Sequence, residues 1–429
     1  MAMQRNAYDV LRERDFVQQV TDDRAVHRHF AENTVTVYTG YDPTADSLHV
    51  GHLFTLMALK HLEMNGHRPI VVLGGGTAMV GDPSGKTELR QMLSRETIQE
   101  NVRKIAGQID GLLDVAGGKT RVVDNAEWLL ELNYIDFLRD IGRHFSVNRM
   151  LAAESYKIRL EKGLSFIEFN YQLLQAYDFL QLSQRYDCTM QMGGDDQWGN
   201  ILAGIDLIRR VDQKLVHGAT FPLLLTATGE KMGKTAAGAV WLSAERLAPY
   251  DYFQYWVNCH DDDVVRLLKF FTLLPVAEIE KVRALQDADI NQAKFILAYE
   301  ATALIHGKDE ATRALRAARG GFGSRAISDA LLPSSAIPRA IEADLSELPT
   351  TRLDAANLST GIPLMDLLVR AGFAKSKSAA RRLIEQGGVR IHQTRITDAF
   401  HQVRDGDMVD GEIILRSGKK NIHRLVVEA

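Results

Sequence analysis

The sequence predicts an α/β fold: a parallel-sheet domain first, then a helical stretch, then a small α+β unit. Three observations lead there. Short strand-like runs recur at Val35-Thr36-Val37-Tyr38, Ile70-Val71-Val72-Leu73 and Thr189-Met190-Gln191-Met192, and each passes into a Gly-rich or Gly/Pro-containing turn. From about Leu247 to Ala318 the pattern is helical throughout. Residues 360–429 mix short strands and helices and carry 12 Lys+Arg against 8 Asp+Glu, a net +4, while the remainder holds 39 against 47, a net −8.

Length and composition bound the rest. A chain of 429 residues, 45% hydrophobic, buries sizeable cores and reads as two to four domains. Cys188 and Cys259 are too few for a disulfide framework or a cysteine metal site and fit a reduced cytosol. The charged start (Arg5, Arg12, Glu13, Arg14, Asp15) lacks a signal core, and no apolar run approaches the ~20 residues that span a bilayer, so a soluble, cytoplasmic protein is expected. A basic tail on an acidic body points to one local anionic partner.

Residues 1–34 read as one or two amphipathic helices, with Asp22 or Asp23 as a cap. The organising stretch is Tyr38 to His52: a strand, a Gly/Pro turn, then a helix with Leu53, Leu56, Met57, Leu59 and Leu62 at helical spacing. His49 and His52, three apart, share the helix's first turn, and Gly51 lets a ligand approach the backbone. A helix N-terminus favours anions, and two imidazoles there suit a polyphosphate. An isolated His-x-x-His more often merely caps a helix, and a metal site needs ligands that do not follow at the right spacing.

The second strand ends in Gly74-Gly75-Gly76 and then Gly81-Asp82-Pro83-Ser84-Gly85-Lys86-Thr87. The phosphate-loop pattern fails here, because its first Gly falls on Val80, and again at Gly233-Lys234-Thr235, where it falls on Thr228. The dinucleotide pattern Gly74-x-Gly76 fails at Met79. Gly/Lys-rich loops at strand ends nevertheless mark where open α/β sheets bind ligands. Residues 94–160 read as mostly helical. In the helix Phe166 to Leu182, Tyr171, Gln175 and Asp178 fall at i, i+4 and i+7 and form a polar stripe, either solvated or ligand-facing. Polar groups gather again at Gly193-Gly194-Asp195-Asp196-Gln197-Trp198-Gly199-Asn200. Phe221 to Thr226 reads as a last strand, followed by the loop Gly229 to Thr235 with Lys231 and Lys234. Gly320 to Gly323 with Pro333, Pro338 and Pro349 marks a linker. In the tail, Ser376 is an N-cap candidate, and Lys375, Lys377, Arg381, Arg382, Lys419, Lys420 and Arg424 form a basic cluster suited to backbone phosphates.

Taken together, His49-Val50-Gly51-His52 and Lys231-Met232-Gly233-Lys234-Thr235 resemble the HIGH and KMSKS signatures of class I aminoacyl-tRNA synthetases. Tyr38, Gly81-Asp82-Pro83-Ser84, Tyr171-x-x-x-Gln175-x-x-Asp178, Asp196-Gln197-Trp198-Gly199-Asn200 and Gly238-Ala239-Val240-Trp241-Leu242 resemble bacterial tyrosyl-tRNA synthetases, and Ser376 to Ile391 resembles an S4-type RNA-binding domain. The resemblance spans essentially the whole chain. It implies a Rossmann-like parallel-sheet catalytic domain over 1–246, an α-helical anticodon-side domain over 247–325, a linker over 326–358 and an S4-like RNA-binding domain over 359–429.

It also implies roles. Tyr38 and Asp178 bind a substrate phenol, Asp82, Tyr171 and Gln175 hold its α-ammonium, and Gln197 lies near its carboxylate. Thr39, Asp42, Thr44, Gly51, Thr55 and Asp196 belong to the ATP region. His49, His52, Lys86, Arg90, Lys231, Lys234 and Thr235 gather on the leaving pyrophosphate. The implied substrates are L-tyrosine, ATP with Mg²⁺, and tRNA(Tyr), with no protein-bound metal or organic cofactor, and the implied assembly is a homodimer with Phe166 at the interface. Two departures stand out. Asp195 occupies a position where the family commonly has Ser, and Gly233 replaces the central Ser of KMSKS. The competing readings are a tryptophanyl-type synthetase, a P-loop phosphotransferase, and an RNA-binding protein on a synthetase frame.

Overall fold

The structure, a computed structural model, describes residues 5–82, 93–152, 156–157, 160, 163–235, 238–286, 288–322, 326–342, 344–418 and 421–428. The chain divides into two compact units, 1–247 with 265–279, and 248–264 with 280–429.

The first unit is built on a six-stranded sheet of β1 (Gln19–Val20), β2 (Thr36–Tyr41), β3 (Arg68–Leu73), β4 (Arg121–Asp124), β5 (Cys188–Gly194) and β6 (His217–Phe221), in spatial order β1-β6-β5-β2-β3-β4. The pairs β2–β3, β3–β4, β2–β5 and β5–β6 are parallel, and β1 adds antiparallel at the edge. From β2 the chain winds one way to β3 and β4 and the other way to β5 and β6. The crevice at the carboxyl ends of β2 and β5 is therefore the topological switch point at which open α/β sheets bind ligands.

The sheet's residues explain its burial. β3 is a nearly continuous apolar run and β2 is buried along almost its whole length, as strands covered by helices on both faces are. The helix Val50–Met64 covers one face and the helix Phe166–Tyr186 the other. The latter starts on a reciprocal Ser165–Glu168 capping box and stops at Asp187, whose φ of 49° is left-handed. Asp22 caps the helix Asp23–Glu32, as its sequence position indicates.

Two elements differ from the sequence reading. The stretch 94–160 contains β4, whose Arg-Val-Val-Asp has one fully buried residue, Val123, and so carries little strand periodicity. The last parallel strand is His217–Phe221, not Phe221 to Thr226, because Pro222 has no N–H to continue the ladder.

In the second unit, the helices Pro249–Val257, Ala288–His306 and Lys308–Phe322 precede a five-stranded sheet. Its strands come from Val389–Ile391, Thr394–Ile396, Glu412–Ser417, Asn421–Glu428 and Thr350–Asp354, the last lying within the segment read as linker. The helices Leu364–Arg370 and Lys377–Glu385 pack Leu364, Leu367, Leu368, Ala380 and Ile384 against Val389, Ile413 and Leu415. Among the described residues no helix is long and apolar enough to cross a membrane.

Candidate active site

The helix Val50–Met64 begins on imidazoles. His49 Nδ1 accepts from the Gly51 N–H at 3.0 Å, His52 Nδ1 accepts from the His49 N–H at 3.2 Å, and the rings stack with centroids 3.8 Å apart. With Nδ1 accepting, each neutral ring carries its proton on Nε2, so each becomes an Nε2–H donor. Gly233, Val240 and Leu242 pack on this turn. The Val50 N–H donates to Val240 O at 3.0 Å, the Leu242 N–H donates to Leu48 O at 2.8 Å, and the Val240 N–H donates to Gly233 O at 2.9 Å. Gly233 has φ +82°, and a Cβ there comes within 3.2 Å of Gly51 N. Glycine rather than serine at this position follows from both facts.

A cleft of about 1190 Å³ opens here, lined by His49, Gly51, His52, Thr55, Asp196 and Lys231 among others. Thr55 Oγ1 donates to His52 O at 2.9 Å and pairs with Tyr41 Oη at 2.8 Å, so it braces the first helical turn. Desolvation holds the Asp196 carboxyl above its usual range, while Lys231 pulls it down. Thr44 is exposed, and Thr39 is buried on β2 with no partner for its hydroxyl among the described residues.

Where the helix Phe166–Tyr186 packs on β2 there is a buried polar group. Tyr38 is 2% exposed, packs against Phe179 at 5.2 Å, and has no hydrogen-bond partner for its hydroxyl among the described residues. Asp178 is buried within electrostatic reach of it. Burial pushes the Asp178 carboxyl up to about 7, against hydrogen bonds from Asn125 Nδ2 to Oδ2 at 3.0 Å and from Trp128 Nε1 to Oδ1 at 2.7 Å. Asn125 is itself locked. Its Nδ2 donates to Thr77 Oγ1 at 3.0 Å, and its Oδ1 accepts from the Gly76 N–H at 2.8 Å. The sequence reading missed Asn125 and Trp128, which follow β4; the signal was a strand-end Asp124-Asn125 after Val122-Val123.

The polar stripe enters hydrogen-bond networks with the strand ends. Tyr171 Oη donates to Asp42 Oδ2 at 3.4 Å, and Asp42 Oδ1 accepts from Thr77 Oγ1 at 3.0 Å. Asn200 Nδ2 donates to Gln175 Oε1 at 2.9 Å and to Gln197 Oε1 at 3.0 Å, and Gln197 Nε2 donates to Asp82 at 2.8 Å. Asp82, Tyr171, Gln175, Asp178 and Gln197 thus join two short networks at the ends of β2 and β5, with Asn200 an unforeseen hub. Glycine leaves room for two carboxylates here: a Cβ on Gly74 comes within 2.3 Å of Asp42 Oδ1, and one on Gly75 within 2.3 Å of Asp124 Oδ1, so either would displace the acid. Lys86, Arg90, Lys419 and Lys420 lie outside the described residues, as do the side chains of Lys234 and Thr235. No group of three or more His, Cys, Asp and Glu among the described residues is arranged to hold a metal.

Residues 31–323 match the family described as tRNA synthetases class I (W and Y), and 340–425 match the tyrosine–tRNA ligase SYY-like C-terminal domain. The chain is 55% identical to the tyrosine–tRNA ligase of Desulfosudis oleivorans, covering 98% of each, and 53% identical to that of Syntrophus aciditrophicus, covering 99% of each. The chain belongs to the tyrosine–tRNA ligase family. This places it with the class I aminoacyl-tRNA synthetases, enzymes of protein biosynthesis. A C-terminally truncated mitochondrial tyrosyl-tRNA synthetase from Aspergillus nidulans is similar in structure, with a TM-score of 0.67 at 32% identity over 74% of this chain and 94% of that one. A tryptophanyl-tRNA synthetase from Encephalitozoon cuniculi, 14% identical with a TM-score of 0.54, shares the fold.

In the second unit, Ser376 caps the helix Lys377–Glu385 by accepting from the Ala379 N–H. Lys375, Lys377, Arg381 and Arg382 are exposed. Lys377 pairs with Asp366 at 2.7 Å, Arg381 pairs with Glu385 at 2.7 Å, and the Arg381 guanidinium lies 5.5 Å from the ring of Phe400, which is 66% exposed.

Proposed function

We propose that this chain activates L-tyrosine with ATP, giving tyrosyl-adenylate and pyrophosphate, and then transfers the tyrosyl group to the 3′ end of tRNA(Tyr). One observation carries the tyrosine reading: a buried Tyr38 hydroxyl with no partner among the described residues, beside the buried carboxyl of Asp178. A substrate phenol satisfies both, donating to the carboxylate and accepting from Tyr38. Phenylalanine leaves both unpaired, at a cost on the order of 1–3 kcal/mol or more. Rejection of Phe without editing by tyrosyl-tRNA synthetase is a standard example of this physics.

Asp82, Tyr171 and Gln175 hold the α-ammonium, and Gln197 orients the carboxylate. That carboxylate is already an ionised nucleophile, so the step needs no enzyme base. Its oxygen bonds to the α-phosphorus as the bond to the bridging oxygen breaks, and pyrophosphate leaves with the electron pair. Rate comes from alignment and from stabilising charge as it develops. The Nε2–H groups of His49 and His52 and the ammonium of Lys231 meet that charge, with Lys86, Arg90, Lys234 and Thr235 assigned the same task from sequence. Thr39, Asp42, Thr44, Gly51, Thr55 and Asp196 form the nucleotide region. Mg²⁺ enters with the ATP phosphates as part of the substrate. In the second step a terminal ribose hydroxyl of tRNA attacks the adenylate's carbonyl carbon and AMP leaves.

We assign catalysis to residues 1–246, the helical anticodon-side role to 247–325, a linker to 326–358 except the strand Thr350–Asp354, which belongs to the sheet of the tail, and RNA binding to 359–429. Lys375, Lys377, Arg381, Arg382, Lys419 and Lys420 provide the basic face. Exposed Phe166 and Ile167 at the start of one helix support a homodimer contact. The working compartment is the cytoplasm. Charging of tRNA(Tyr) by the full chain and by one ending at residue 339 tests the division of labour. The shortened chain is expected to keep tyrosine-dependent pyrophosphate exchange and lose most charging, and equal charging by both overturns the assignment of the tail.

A further inference from the structure

The turn Asp195–Gln197 sends three consecutive side chains in three directions. Asp196 is coupled to Lys231 across the cleft, and Gln197 donates to Asp82. Asp195 points to the sheet edge. Its Oδ1 accepts from Gln19 Nε2 at 2.6 Å and from Thr220 Oγ1 at 2.9 Å. The Gln19 backbone N–H donates to the same Thr220 oxygen at 3.1 Å, which closes a ring of hydrogen bonds among residues 19, 195 and 220. Thr220 is fully buried and stands opposite Gln19 in the β1–β6 pairing. Strand β1 is only two residues long, and the clamp adds to the backbone bonds that hold it, from the Gln18 N–H to Thr220 O at 2.8 Å and from the Thr21 N–H to Gly218 O at 3.0 Å.

We propose that Asp195 is a positioning residue for substrate binding: by clamping β1 to its own turn, it fixes where Asp196 and Gln197 stand in the cleft. The inference rests on the reading that the cleft takes ATP and tyrosine. Chemistry favours a carboxylate over the family's usual serine. A serine hydroxyl is one bond shorter than a carboxylate oxygen, so from the same Cβ it does not reach both donors. A carboxylate accepts from both on one oxygen, and charge strengthens each bond. Gln19 and Asp195 also line the cleft, so the clamp forms part of the substrate's wall.

Tyrosine-dependent pyrophosphate–ATP exchange by the full chain, with ATP and tyrosine varied separately, tests this. Asp195→Ser is expected to raise KM for ATP about tenfold while kcat stays within about threefold, the scale of losing hydrogen bonds to a charged acceptor. Asp195→Asn keeps the accepting oxygen and restores most of the affinity. Gln19→Ala raises KM about threefold alone and adds nothing to Asp195→Ser, because both remove one clamp. A clamp that only stabilises the fold lowers the melting temperature and leaves KM unmoved. A wild-type KM for ATP in Asp195→Ser, or independent multiplication of the two effects, overturns the proposal. If Asp195→Ser fails to fold, the KM of Gln19→Ala decides, and an unchanged value counts against it. Exchange that ignores tyrosine in the unmutated protein overturns instead the reading on which the proposal stands.

Discussion

Replacing Trp128 with Phe isolates the electrostatics of the proposed tyrosine pocket. The ring keeps most of its packing, but the Nε1–H that donates to Asp178 Oδ1 at 2.7 Å is gone. Hydrogen bonds to a charged group are worth about 1.5–3 kcal/mol, and one pKa unit is about 1.36 kcal/mol, so Asp178 moves up by roughly one to two units. Burial already holds it at about 7 against its two donors, so losing one can only raise it further. At pH 7 the ionised fraction then falls from about half to roughly a tenth or less. An ionised carboxylate is about twice as strong an acceptor for a phenol as a neutral one. The KM for tyrosine in pyrophosphate exchange is therefore expected to rise roughly five- to fiftyfold at pH 7. The penalty shrinks toward pH 9, and kcat moves less than KM. Discrimination against phenylalanine weakens in parallel, because an unpaired neutral acid costs less to bury than an unpaired charge. A pH profile of KM that does not shift, or wild-type tyrosine KM at pH 7, refutes the assignment of Asp178 as the phenol's acceptor.

Three further outcomes are expected. Gly233→Ala places a Cβ at φ +82°, costing about 1–2 kcal/mol, and should cut exchange kcat about tenfold and lower the melting temperature by a few degrees. Phe400→Ala, if its exposed ring stacks an RNA base, should weaken tRNA binding by about 1–3 kcal/mol without changing the salt dependence, whereas Arg382→Ala should lower the salt slope by about one; filter binding across a salt series separates them. Phe166→Asp, at a side chain 68% exposed, should convert a dimer to monomer in sedimentation with little change in secondary structure; an unchanged mass contradicts the interface.

The parts of the fold legible in sequence were those whose burial is continuous. β3 announces itself as an apolar run, β2 and β5 as short strand-like stretches that pass into glycine-containing turns, and the helix after His49 by its leucine spacing. β4 did not, because a four-residue strand with one fully buried side chain has no period to detect. The site divides the same way. Helical spacing brought out Tyr171, Gln175 and Asp178, and Tyr38 and Gln197 came from the family resemblance, but Asn125 and Trp128 meet Asp178 from 53 and 50 residues away in sequence, which no local spacing reveals. The two departures from the family pattern also needed coordinates. Gly233 is explained by a backbone angle and the nearness of Gly51, and Asp195 by Gln19, 176 positions earlier. Sequence shows that a carboxylate is present but not which way it points.

The central claim is that this site makes an adenylate from tyrosine, and pyrophosphate–ATP exchange with each of the amino acids in turn, without tRNA, tests it most directly. Exchange driven by tyrosine and not by phenylalanine or tryptophan is the predicted result. Exchange driven by tryptophan, or none with any amino acid from folded protein, contradicts it.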